Sequence, residues 1–393
     1  MQKVAVVGVG ETKFTGPQTQ SNIELFSQAA MDAINEANLK PKDIQAVLVG
    51  NALSGFEEKQ QMVQAFITEN IGAFNVATNI YDGACASSTV VIRDAFIWIA
   101  SGLYDVVLAG GTDRAATMGT KYGTEVYSMY SDRYYEYPSG ITFPGIFAMI
   151  TYLYADRYHI PIQKLKEQMA LATVKAHKYG MFNPKAHLHR EMTVERVLKS
   201  NTVCQPLQVY DCCPFSDGAA AVVLASERIA RKLTDKPVFI TGVGQASAGS
   251  LASQQDYLPR LIARELAAKQ AYEMAGIGPA DIDVCELHDS FSICEILAIE
   301  GLGFFENGKG GDATERGETM LGGKVVVNPS GGLKAKGHPV GATGAGQVYE
   351  IVRQLRNEGG EVQVEEAETG MTDNMGAGGS IQCNLILQKG WSG

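Results

Sequence analysis

The sequence predicts an α/β protein made of two copies of one unit, and three observations lead to this prediction. A β-branched run that closes on Gly-Val-Gly begins at Val4 and again at Val238. A helix end, a turn with proline and a strand follow from Ala37 and again from Ala275. These matches occur in the same order at nearly equal offsets, which indicates an internal repeat. Strand-like and helix-like periods also alternate within each copy, as is typical of α/β folds.

The elements of the first copy can be predicted in order from hydrophobic periodicity. Residues 3–8 form a buried-strand run, and residues 22–38 have the apolar spacing of a helix. Residues 44–50 predict a second strand, residues 87–102 a buried helix, and residues 104–111 the strand after it. Such alternation favours a largely parallel sheet with helices on both faces. If the two copies share their central helices, they form a five-layer αβαβα sandwich.

The chain can be divided into two halves and an insertion. The first half is predicted at 1–120 together with 210–235, and the second half at 236–393. A strand near 219–225 returns the chain to the first half. The insertion, residues 121–209, is rich in tyrosine and holds four of the six histidines. We expect it to cover the active site, because large insertions over α/β cores often carry substrate binding.

Composition excludes several classes of function. A chain of 393 residues with 45% hydrophobic and 19% charged residues is typical of a soluble globular protein with a large core. The net charge of −10 is spread along the chain, which argues against nucleic acid as a partner. No apolar run reaches the roughly 18 residues that a membrane span needs. The N-terminus enters a strand-like run at once, so we expect no signal peptide and a cytoplasmic location.

The cysteines do not indicate a bound metal, and the glycines of the first Gly-Val-Gly do not indicate a bound dinucleotide. The seven cysteines are irregularly spaced and form no Cys-x-x-Cys or zinc-finger pattern, so we expect no metal and no disulfide framework. Most of them would be small buried residues. A dinucleotide fingerprint would need a third glycine after the first strand, but that position is Lys13. We therefore expect the first glycines to serve turns between a strand and a loop.

Cys85, in the stretch YDGACASSTV, is the candidate nucleophile. It directly precedes the predicted helix 87–102, whose N-terminus could stabilise a thiolate. Its small neighbours Gly83, Ala84 and Ala86 would permit the close approach of a substrate. An isolated cysteine in this position would more simply be a buried packing residue. The assignment therefore requires a base from elsewhere in the chain.

Two loops of the second copy offer such a base. His338 lies in the glycine-rich stretch NPSGGLKAKGHPVGATGAG, about where the Cys85 loop lies in the first copy. A pseudo-twofold relation between the copies would bring these two loops face to face. His288 lies in ELHDSF, at the end of a predicted strand. A lone histidine is usually a hydrogen-bonded core residue, but both of these stand at strand or loop ends. A further glycine-rich turn, 374–380, could donate hydrogen bonds from its amides to an oxyanion.

The motifs GACASS, HDSF, GGLKAKGHPVGATG and NMGAGG resemble, in order and spacing, the four active-site loops of the thiolase superfamily. The HD-F and N-GAGG forms resemble the sterol-carrier-protein-x type thiolases and their archaeal and bacterial acetyl-CoA acetyltransferase-like relatives. The resemblance covers essentially the whole chain. It implies the thiolase fold, with duplicated βαβαβαββ halves in a five-layer αβαβα sandwich and a large loop insertion.

The resemblance also implies an activity, that of an acyl-CoA C-acyltransferase that cleaves or forms a 3-oxoacyl-CoA with coenzyme A as substrate and no bound cofactor. Cys85 would form an acyl-enzyme after His338 takes its thiol proton. His288 and His338 would hold the thioester oxygen of the enolate. The amides of Cys85 and Gly376 would form the second oxyanion hole.

Substrate contacts and partners are implied in the same way. Contacts with CoA and the acyl group are expected at Ser247, Ala248, Gly249, Phe147 and Met149. The family implies a homodimer or a larger assembly, with the Cys85 helix near the interface. Several relatives with HD-F loops work with a small OB-fold, zinc-bearing partner subunit.

The aromatic stretch 122–158 bears on the acyl group. Tyrosine offers a large apolar face with a polar tip, which suits a pocket lined partly by an acyl chain. Many of these rings would pack the insertion onto the core or a second subunit. We nevertheless predict a bulky acyl group, aromatic or branched, in a degradation pathway such as β-oxidation.

Two positions depart from the family pattern. Thiolases need a second acid/base, which is a cysteine where this chain has Asn374, or the cysteine of HDCF where this chain has Ser290. A serine hydroxyl is much less acidic than a thiol, so Ser290 would position a water rather than carry protons. Cys294 would share a helix face with Ser290. The departure leaves two alternatives open: a condensing acyltransferase that runs only in the synthetic direction, and a non-catalytic scaffold subunit of a thiolase complex.

Overall fold

The computed structural model describes residues 2–391. The strands in this range are β1 (Val4–Glu11), β2 (Ala46–Gly50), β3 (Ala77–Tyr81), β4 (Val106–Arg114), β5 (Thr202–Cys204), β6 (Leu207–Gln208), β7 (Asp217–Ser226), β8 (Val238–Ser247), β9 (Val284–Leu287), β10 (Val326–Val327), β11 (Thr369–Gly376) and β12 (Ile381–Lys389).

The α-helices are α1 (Asn22–Glu36), α2 (Ser54–Glu57), α3 (Val63–Ile71), α4 (Ser87–Ala100), α5 (Ala115–Met118), α6 (Thr120–Ser128), α7 (Phe143–Arg157), α8 (Ile162–Gly180), α9 (Val194–Leu198), α10 (Glu227–Leu233), α11 (Ile262–Ala275), α12 (Ser292–Gly301), α13 (Gly310–Glu315), α14 (Gly332–Ala335) and α15 (Thr343–Leu355). Short 3₁₀ turns lie at Pro41–Asp43, Tyr137–Ser139, Val209–Asp211, Ala252–Gln254, Pro279–Asp281, Val340–Ala342 and Gly360–Val362.

The main sheet consists of two sets of five strands with the same order and directions. The first set has the order β3-β2-β4-β7-β1, with β2 parallel to β3 and β4, and β7 antiparallel to β4 and β1. The second set has the order β10-β9-β11-β12-β8, with β9 parallel to β10 and β11, and β12 antiparallel to β11 and β8. Each half therefore runs βαβαβαββ, and the predicted duplication is confirmed. The sets join where β1 pairs antiparallel with β8.

The helices complete five layers around the two sets of strands. One buried cluster combines α4 and α15 with strand residues of both halves, including Ile92, Val348, Leu48 and Leu385. These two helices are thus the shared central layer. Helices α1 and α3 pack on the other face of the first set, and α11 and α12 pack on the other face of the second set. The five-layer αβαβα arrangement that the resemblance implied is confirmed.

The repeated Gly-Val-Gly has a packing role, and the expectation that it serves turns is wrong. Gly8 and Gly10 lie inside β1, where a Cβ atom on either would collide with the backbone of α1. Gly242 and Gly244 lie at the same places in β8, against the backbone of α11. Glycine is therefore required because a helix crosses each strand too closely for any side chain.

Several predicted elements agree closely with the observed ones. The helix predicted at 22–38 is α1, which begins after Ser21 because the side chains of Ser21 and Glu24 form a capping box. The buried helix predicted at 87–102 is α4, and β7 covers the strand predicted near 219–225.

Helices α5 to α9 and the small β5–β6 pair lie between β4 and β7. The insertion predicted at 121–209 falls in this stretch, and its limits and those of the two halves stay a prediction. In the described part of the chain, no helix combines the length and apolar character that a bilayer crossing requires.

Candidate active site

Cys85 lies in a tight turn between β3 and α4. The turn is held by Ser87, whose hydroxyl accepts from the Gly83 amide at 2.9 Å and donates to the Ala84 carbonyl at 2.6 Å. Ala84 has a positive φ of 51°, which costs a residue with a side chain roughly 1–2 kcal/mol. This strained residue immediately precedes Cys85. The turn thereby presents the thiol just ahead of the first residue of α4, as the sequence predicted.

The structure brings three predicted site residues together. The Sγ atom of Cys85 and one ring nitrogen each of His288 and His338 lie within 4.8 Å of one another. The two imidazole rings meet edge to face, with centroids 5.1 Å apart and an interplanar angle of 88°. Both histidines are buried. The two loops from opposite copies therefore do face each other. Two imidazoles and a thiol at this spacing could also hold a soft cation such as Zn²⁺.

His338 is held at its amide and at one ring nitrogen. Its backbone amide donates to the Ser216 hydroxyl at 3.0 Å. Its Nδ1 lies 2.7 Å from the Thr343 hydroxyl, and that hydroxyl donates to the Pro339 carbonyl at 2.9 Å. Because the Pro339 carbonyl can only accept, both contacts are hydrogen bonds only when Thr343 donates to Pro339 and accepts from an Nδ1–H of His338. The Nε2 atom is then left with a free lone pair.

His288 follows β9 and is held by residues of the neighbouring strand β11. Its amide lies 3.4 Å from the carboxylate of Asp373, which is itself paired with the buried Arg264 at 3.0 Å. Its Nδ1 lies 3.4 Å from the side-chain amide of Asn374. The sequence analysis treated Asn374 only as the replacement of a cysteine that classical thiolases carry. Its contact with His288 was not predicted.

The thiol of Cys85 and the imidazoles of His288 and His338 are uncharged at rest. Burial, followed by the charge of Asp113, raises the pKa of the Cys85 thiol to about 12, although two backbone amides oppose the shift. Burial lowers the pKa of His338 to about 3 and that of His288 well below its usual value. The helix N-terminus therefore does not by itself produce a thiolate, and a base is needed, as the sequence analysis required. Burial is the larger effect here, and the thiol keeps its proton at neutral pH.

The last glycine-rich loop contributes a backbone amide that sequence reasoning missed. The amides of Ala377 and of Cys85 itself face the Cys85 thiol and lower its pKa, against the larger effect of burial. Gly376, which was predicted for this role, ends β11 one residue earlier, and a Cβ atom there would collide with the carbonyl of Gly83. Any residue can supply an amide, so the sequence contains no signal for Ala377 beyond the loop that carries it.

Ser290 and Cys294 are neighbours, as helical spacing predicted. The Ser290 hydroxyl lies 3.9 Å from the Cys294 Sγ, at the start of α12, and both residues are buried. Burial raises the pKa of the Cys294 thiol to about 12. Neither group therefore offers an exchangeable proton of suitable acidity near neutral pH.

Ser247, Ala248 and Gly249 lie beside the last catalytic loop. Ser247 ends β8 opposite Ile381, and the Ala248 amide donates to the carbonyl of Ser380 at 3.0 Å. Gly249 follows with a positive φ of 72°. This segment is therefore held against the loop that follows β11.

Phe147 and Met149 lie on α7 but differ in their surroundings. Phe147 is fully buried, and its ring stacks on Phe291 of the HDSF motif with centroids 4.8 Å apart. Met149 lies on the outer face of the helix with 43% of its surface exposed. Phe147 thus supports the HDSF loop from behind.

Asp113, at the end of β4, is a second residue that sequence reasoning missed. Its buried carboxylate accepts hydrogen bonds of 2.6–3.1 Å from the side chain of Asn51 and the amides of Ala52, Leu53 and Gly341. Gly341 belongs to the His338 loop of the other half. One carboxylate therefore ties the first half of the molecule to the loop that carries His338.

Lys336 makes a comparable connection two residues before His338. Its ammonium group contacts Glu11 of β1 at 2.8 Å, Glu350 of α15 at 2.9 Å and the carbonyl of Gly346 at 2.9 Å. All three partners are buried or nearly so. The glycine-rich loop is therefore fixed to both halves before it reaches the site.

Comparison with known proteins agrees with this architecture. The family model for the thiolase N-terminal domain matches residues 4–228, and the model for the thiolase C-terminal domain-like family matches residues 244–389. The acetyl-CoA acetyltransferase of Methanothermobacter thermautotrophicus is 40% identical over 99% of this chain and 100% of its own length. The benzoylsuccinyl-CoA thiolase subunit BbsB of Thauera aromatica is 34% identical over 96% of this chain and 95% of its own. Human sterol carrier protein 2 is 31% identical over 98% of this chain and 72% of its own.

Solved structures share the fold at lower identity. The Ltp2-ChsH2(DUF35) aldolase structure has a TM-score of 0.84 at 24% identity, covering 98% of this chain and 97% of that one. Human mitochondrial 3-ketoacyl-CoA thiolase has a TM-score of 0.77 at 19% identity, covering 99% of each chain. The duplicated five-layer fold is that of the thiolase class of acyltransferases. The chain belongs to the thiolase family, and the resemblance found in its four motifs is confirmed.

Proposed function

We propose that this thiolase cleaves or forms a 3-oxoacyl-CoA, with CoA as co-substrate, through an acyl group carried on Cys85. The observation that supports the proposal is the approach of the Cys85 thiol to the nitrogens of His288 and His338 within 4.8 Å. A nucleophile, a base and a hydrogen-bond donor are the three groups that covalent acyl transfer uses, and their proximity here supports the proposal.

His338 acts as the base in the first half-reaction. Because the thiol and the imidazole are both neutral at rest, the proton moves from Sγ to Nε2 as the sulfur attacks the keto carbon. Thr343, which accepts from Nδ1, stabilises the imidazolium that forms. The amides of Cys85 and Ala377 donate to the oxyanion, and each such donor typically contributes about 10²–10³ in rate. We propose Ala377 here, next to the Gly376 amide that the family pattern implied.

The second half-reaction returns the acyl group to CoA. The enolate that departs earlier, when the acyl-enzyme forms, carries charge on its thioester oxygen, and we propose that His288 donates a hydrogen bond to it. The segment 247–249, held against the loop that follows β11, is a proposed contact for CoA. Met149 is exposed on α7 and is a further proposed contact, whereas Phe147 would act by supporting the HDSF loop.

The acyl group is proposed to be bulky, with an aromatic or branched chain. The name of the Thauera aromatica relative contains a benzoylsuccinyl group, which gives an aromatic precedent among similar chains. Aromatic side chains also approach the site: Tyr127 packs in the same apolar cluster as Cys85, edge to face with Phe215 at 5.0 Å. The aromatic rings of Tyr127 and Phe215 would favour a flat or branched acyl chain over a methyl group.

Partners are proposed on two observations. The Ltp2-ChsH2(DUF35) aldolase bears the names of two proteins, and BbsB is called a subunit. We propose that this chain likewise works in a complex with a small OB-fold, zinc-bearing subunit. We also propose a homodimer through the free edge of β3.

Acylation of Cys85 provides the test. Purified protein is mixed with a 3-oxoacyl-CoA, and the intact mass and CoA-dependent thiolysis are followed. We expect an acyl adduct on Cys85, no adduct and no turnover for Cys85→Ala, and unchanged behaviour for the control Cys204→Ala on the outlying strand β5. Thiolysis absent at every CoA concentration, with condensation retained, would favour the synthetic-only alternative. Turnover retained by Cys85→Ala would reject the proposal.

The same assay tests the acyl group when an aryl 3-oxoacyl-CoA is compared with acetoacetyl-CoA. Each buried methylene is worth about 0.8 kcal/mol, so a ring should raise kcat/KM by well over tenfold. A ratio near one would show that the aromatic residues are structural. The comparison is made with and without a co-expressed OB-fold subunit.

A further inference from the structure

Asn374 stands at the end of a chain of hydrogen bonds whose direction is fixed. The side-chain nitrogen Nε2 of Gln347, on α15, donates to the backbone carbonyl of Asp373 at 3.0 Å. The Oε1 of Gln347 accepts from the Nδ2 of Asn374 at 3.1 Å. The same Nδ2 lies 3.4 Å from the Nδ1 of His288. All of these residues are buried.

The direction follows from the backbone carbonyl at the start of the chain. A carbonyl oxygen can only accept, so Gln347 must present its nitrogen to Asp373 and its oxygen to Asn374. Asn374 must then present its nitrogen, because two amide oxygens would repel each other. An amide nitrogen can only donate, and therefore Nδ1 of His288 must accept. A neutral imidazole that accepts at Nδ1 carries its hydrogen on Nε2.

His338 is held in the opposite form. Its Nδ1 donates to Thr343, which leaves Nε2 without a hydrogen. The two rings meet edge to face beside the Cys85 thiol. One ring can therefore accept a proton at Nε2, and the other can only donate a hydrogen bond from Nε2.

We propose that Asn374 is a positioning residue that fixes His288 as the tautomer with hydrogen on Nε2, and thereby leaves His338 as the proton carrier in both half-reactions. The inference rests on the proposed function. It accounts for the absence of both cysteines that the family otherwise uses as the second acid/base. Ser290 stands at one of those two positions, and its hydroxyl contacts the Cys294 thiol.

The protons balance with one carrier. In thiolysis, His338 takes the proton of Cys85 as Sγ bonds to the keto carbon. When the bond between the α-carbon and the keto carbon breaks, the same proton passes from Nε2 to the α-carbon of the departing enolate. His338 then takes the proton of the incoming CoA thiol and returns it to Sγ as the acyl group leaves. His288 remains neutral throughout and stabilises the enolate oxygen.

Asn374→Asp replaces the donor Nδ2 by an acceptor with almost no change of shape, which reverses the hydrogen bond to His288 and removes the one to Gln347. A carboxylate can only accept, so it should draw the ring hydrogen of His288 to Nδ1 and leave Nε2 bare. The enolate oxygen would then lose a donor, and we expect kcat to fall by about 10²–10³ with little change in KM. Asn374→Ala removes the constraint without reversing it and should cost less. Asn357→Asp, on the exposed residue after α15, is the matched control for the added charge and should leave kcat unchanged.

Nitrogen NMR of histidine-labelled protein reads the tautomers directly. We expect the wild type to show the hydrogen-free nitrogen at Nδ1 in His288 and at Nε2 in His338, with assignment by His→Gln variants. In Asn374→Asp the hydrogen-free nitrogen of His288 should move to Nε2. A purely structural role for Asn374 would leave this pattern unchanged.

Either of two outcomes overturns the inference: a bare Nε2 on His288 in the wild type, or an Asn374→Asp protein that keeps both its tautomers and its kcat. The wild-type spectrum tests the tautomer of His288 even if the variant does not fold. It is also independent of turnover, so a failure of Cys85 acylation would reject the proposed function and leave the tautomers measurable.

Discussion

At the scale of the residue, the site depends on neutral groups held in chosen orientations. The pKa of Cys85 is raised to about 12 and that of His338 is lowered to about 3, so a preformed ion pair would be costly. In the proposed mechanism, proton transfer therefore accompanies the attack of sulfur on the substrate. The proposed imidazolium of His338 would exist only briefly, with the hydroxyl of Thr343 2.7 Å from its Nδ1 as a stabilising partner.

Removal of that hydroxyl should therefore slow acylation. A hydrogen bond to a charged group contributes about 1.5–3 kcal/mol, so Thr343→Val should lower the acylation rate constant by roughly 10- to 100-fold, with substrate affinity nearly unchanged. Thr343→Ser keeps the hydroxyl and should restore most of the rate. Rapid-quench measurement of the Cys85 adduct gives the rate. An unchanged rate in the valine variant, with a loss in the serine variant, would mean that the methyl group matters instead of the hydroxyl.

At the scale of the element, the loop that carries His338 is fixed by buried carboxylates. Asp289 precedes α12, and its carboxylate accepts from the Leu333 amide of α14 at 2.7 Å. Burial, and next the charge of Glu295, raise the pKa of Asp289 to about 7. A carboxyl whose pKa is raised on folding contributes stability that is complete below its unfolded pKa near 3.8 and is lost as pH rises through about 7.

Asp289→Asn should remove this part of the pH dependence while it keeps the shape of the side chain. We expect the free energy of unfolding of the wild type to fall between pH 4 and pH 8 by a few kcal/mol more than that of the variant. Urea denaturation at a series of pH values measures both. Glu11 and Glu286 also have raised pKa values, but they are common to both proteins and cancel in the difference. Parallel curves would show that folding does not shift the pKa of Asp289.

At the scale of the whole molecule, the main sheet ends in two different edges. The edge strand β10 has two residues and is buried, whereas β3 has five and is partly exposed. An exposed edge strand is a template for pairing with another chain. Ile80 on β3, Phe74 before it and Ile97 on α4 are large apolar residues that remain exposed in the single chain.

A charge at this edge should weaken the proposed dimer. We expect the wild type to have twice the mass of one chain in light scattering, and Ile80→Lys to shift toward the single-chain mass with the fold intact. Val203→Lys, at an exposed residue of β5, is the control and should keep the wild-type mass. A wild-type protein that is monomeric at assay concentrations would contradict the proposal.

The sequence contained most of the fold and only part of the site. The repeats that begin at Val4 and Val238 predicted the duplicated halves. Two halves with the same fold bury side chains at corresponding positions, so their sequences share a pattern of apolar and small residues. The motifs predicted that Cys85, His288 and His338 would meet. The amide of Ala377 and the carboxylate of Asp113 escaped notice, since their roles depend on which segments of the other half reach them. The sequence alone could not give the pKa of Cys85, because burial is a property of the whole fold.

The protonated thiol also has a meaning for the enzyme at rest. Peroxides and disulfides react with thiolates far more readily than with thiols. Cysteine enzymes that keep a permanent ion pair are therefore exposed to inactivation whenever substrate is scarce. Cys85, with its pKa of about 12 and a histidine that takes the proton only during attack, should remain largely inert toward such oxidants. The desolvation that raises the pKa of the Cys85 thiol would thus protect the proposed nucleophile between turnovers.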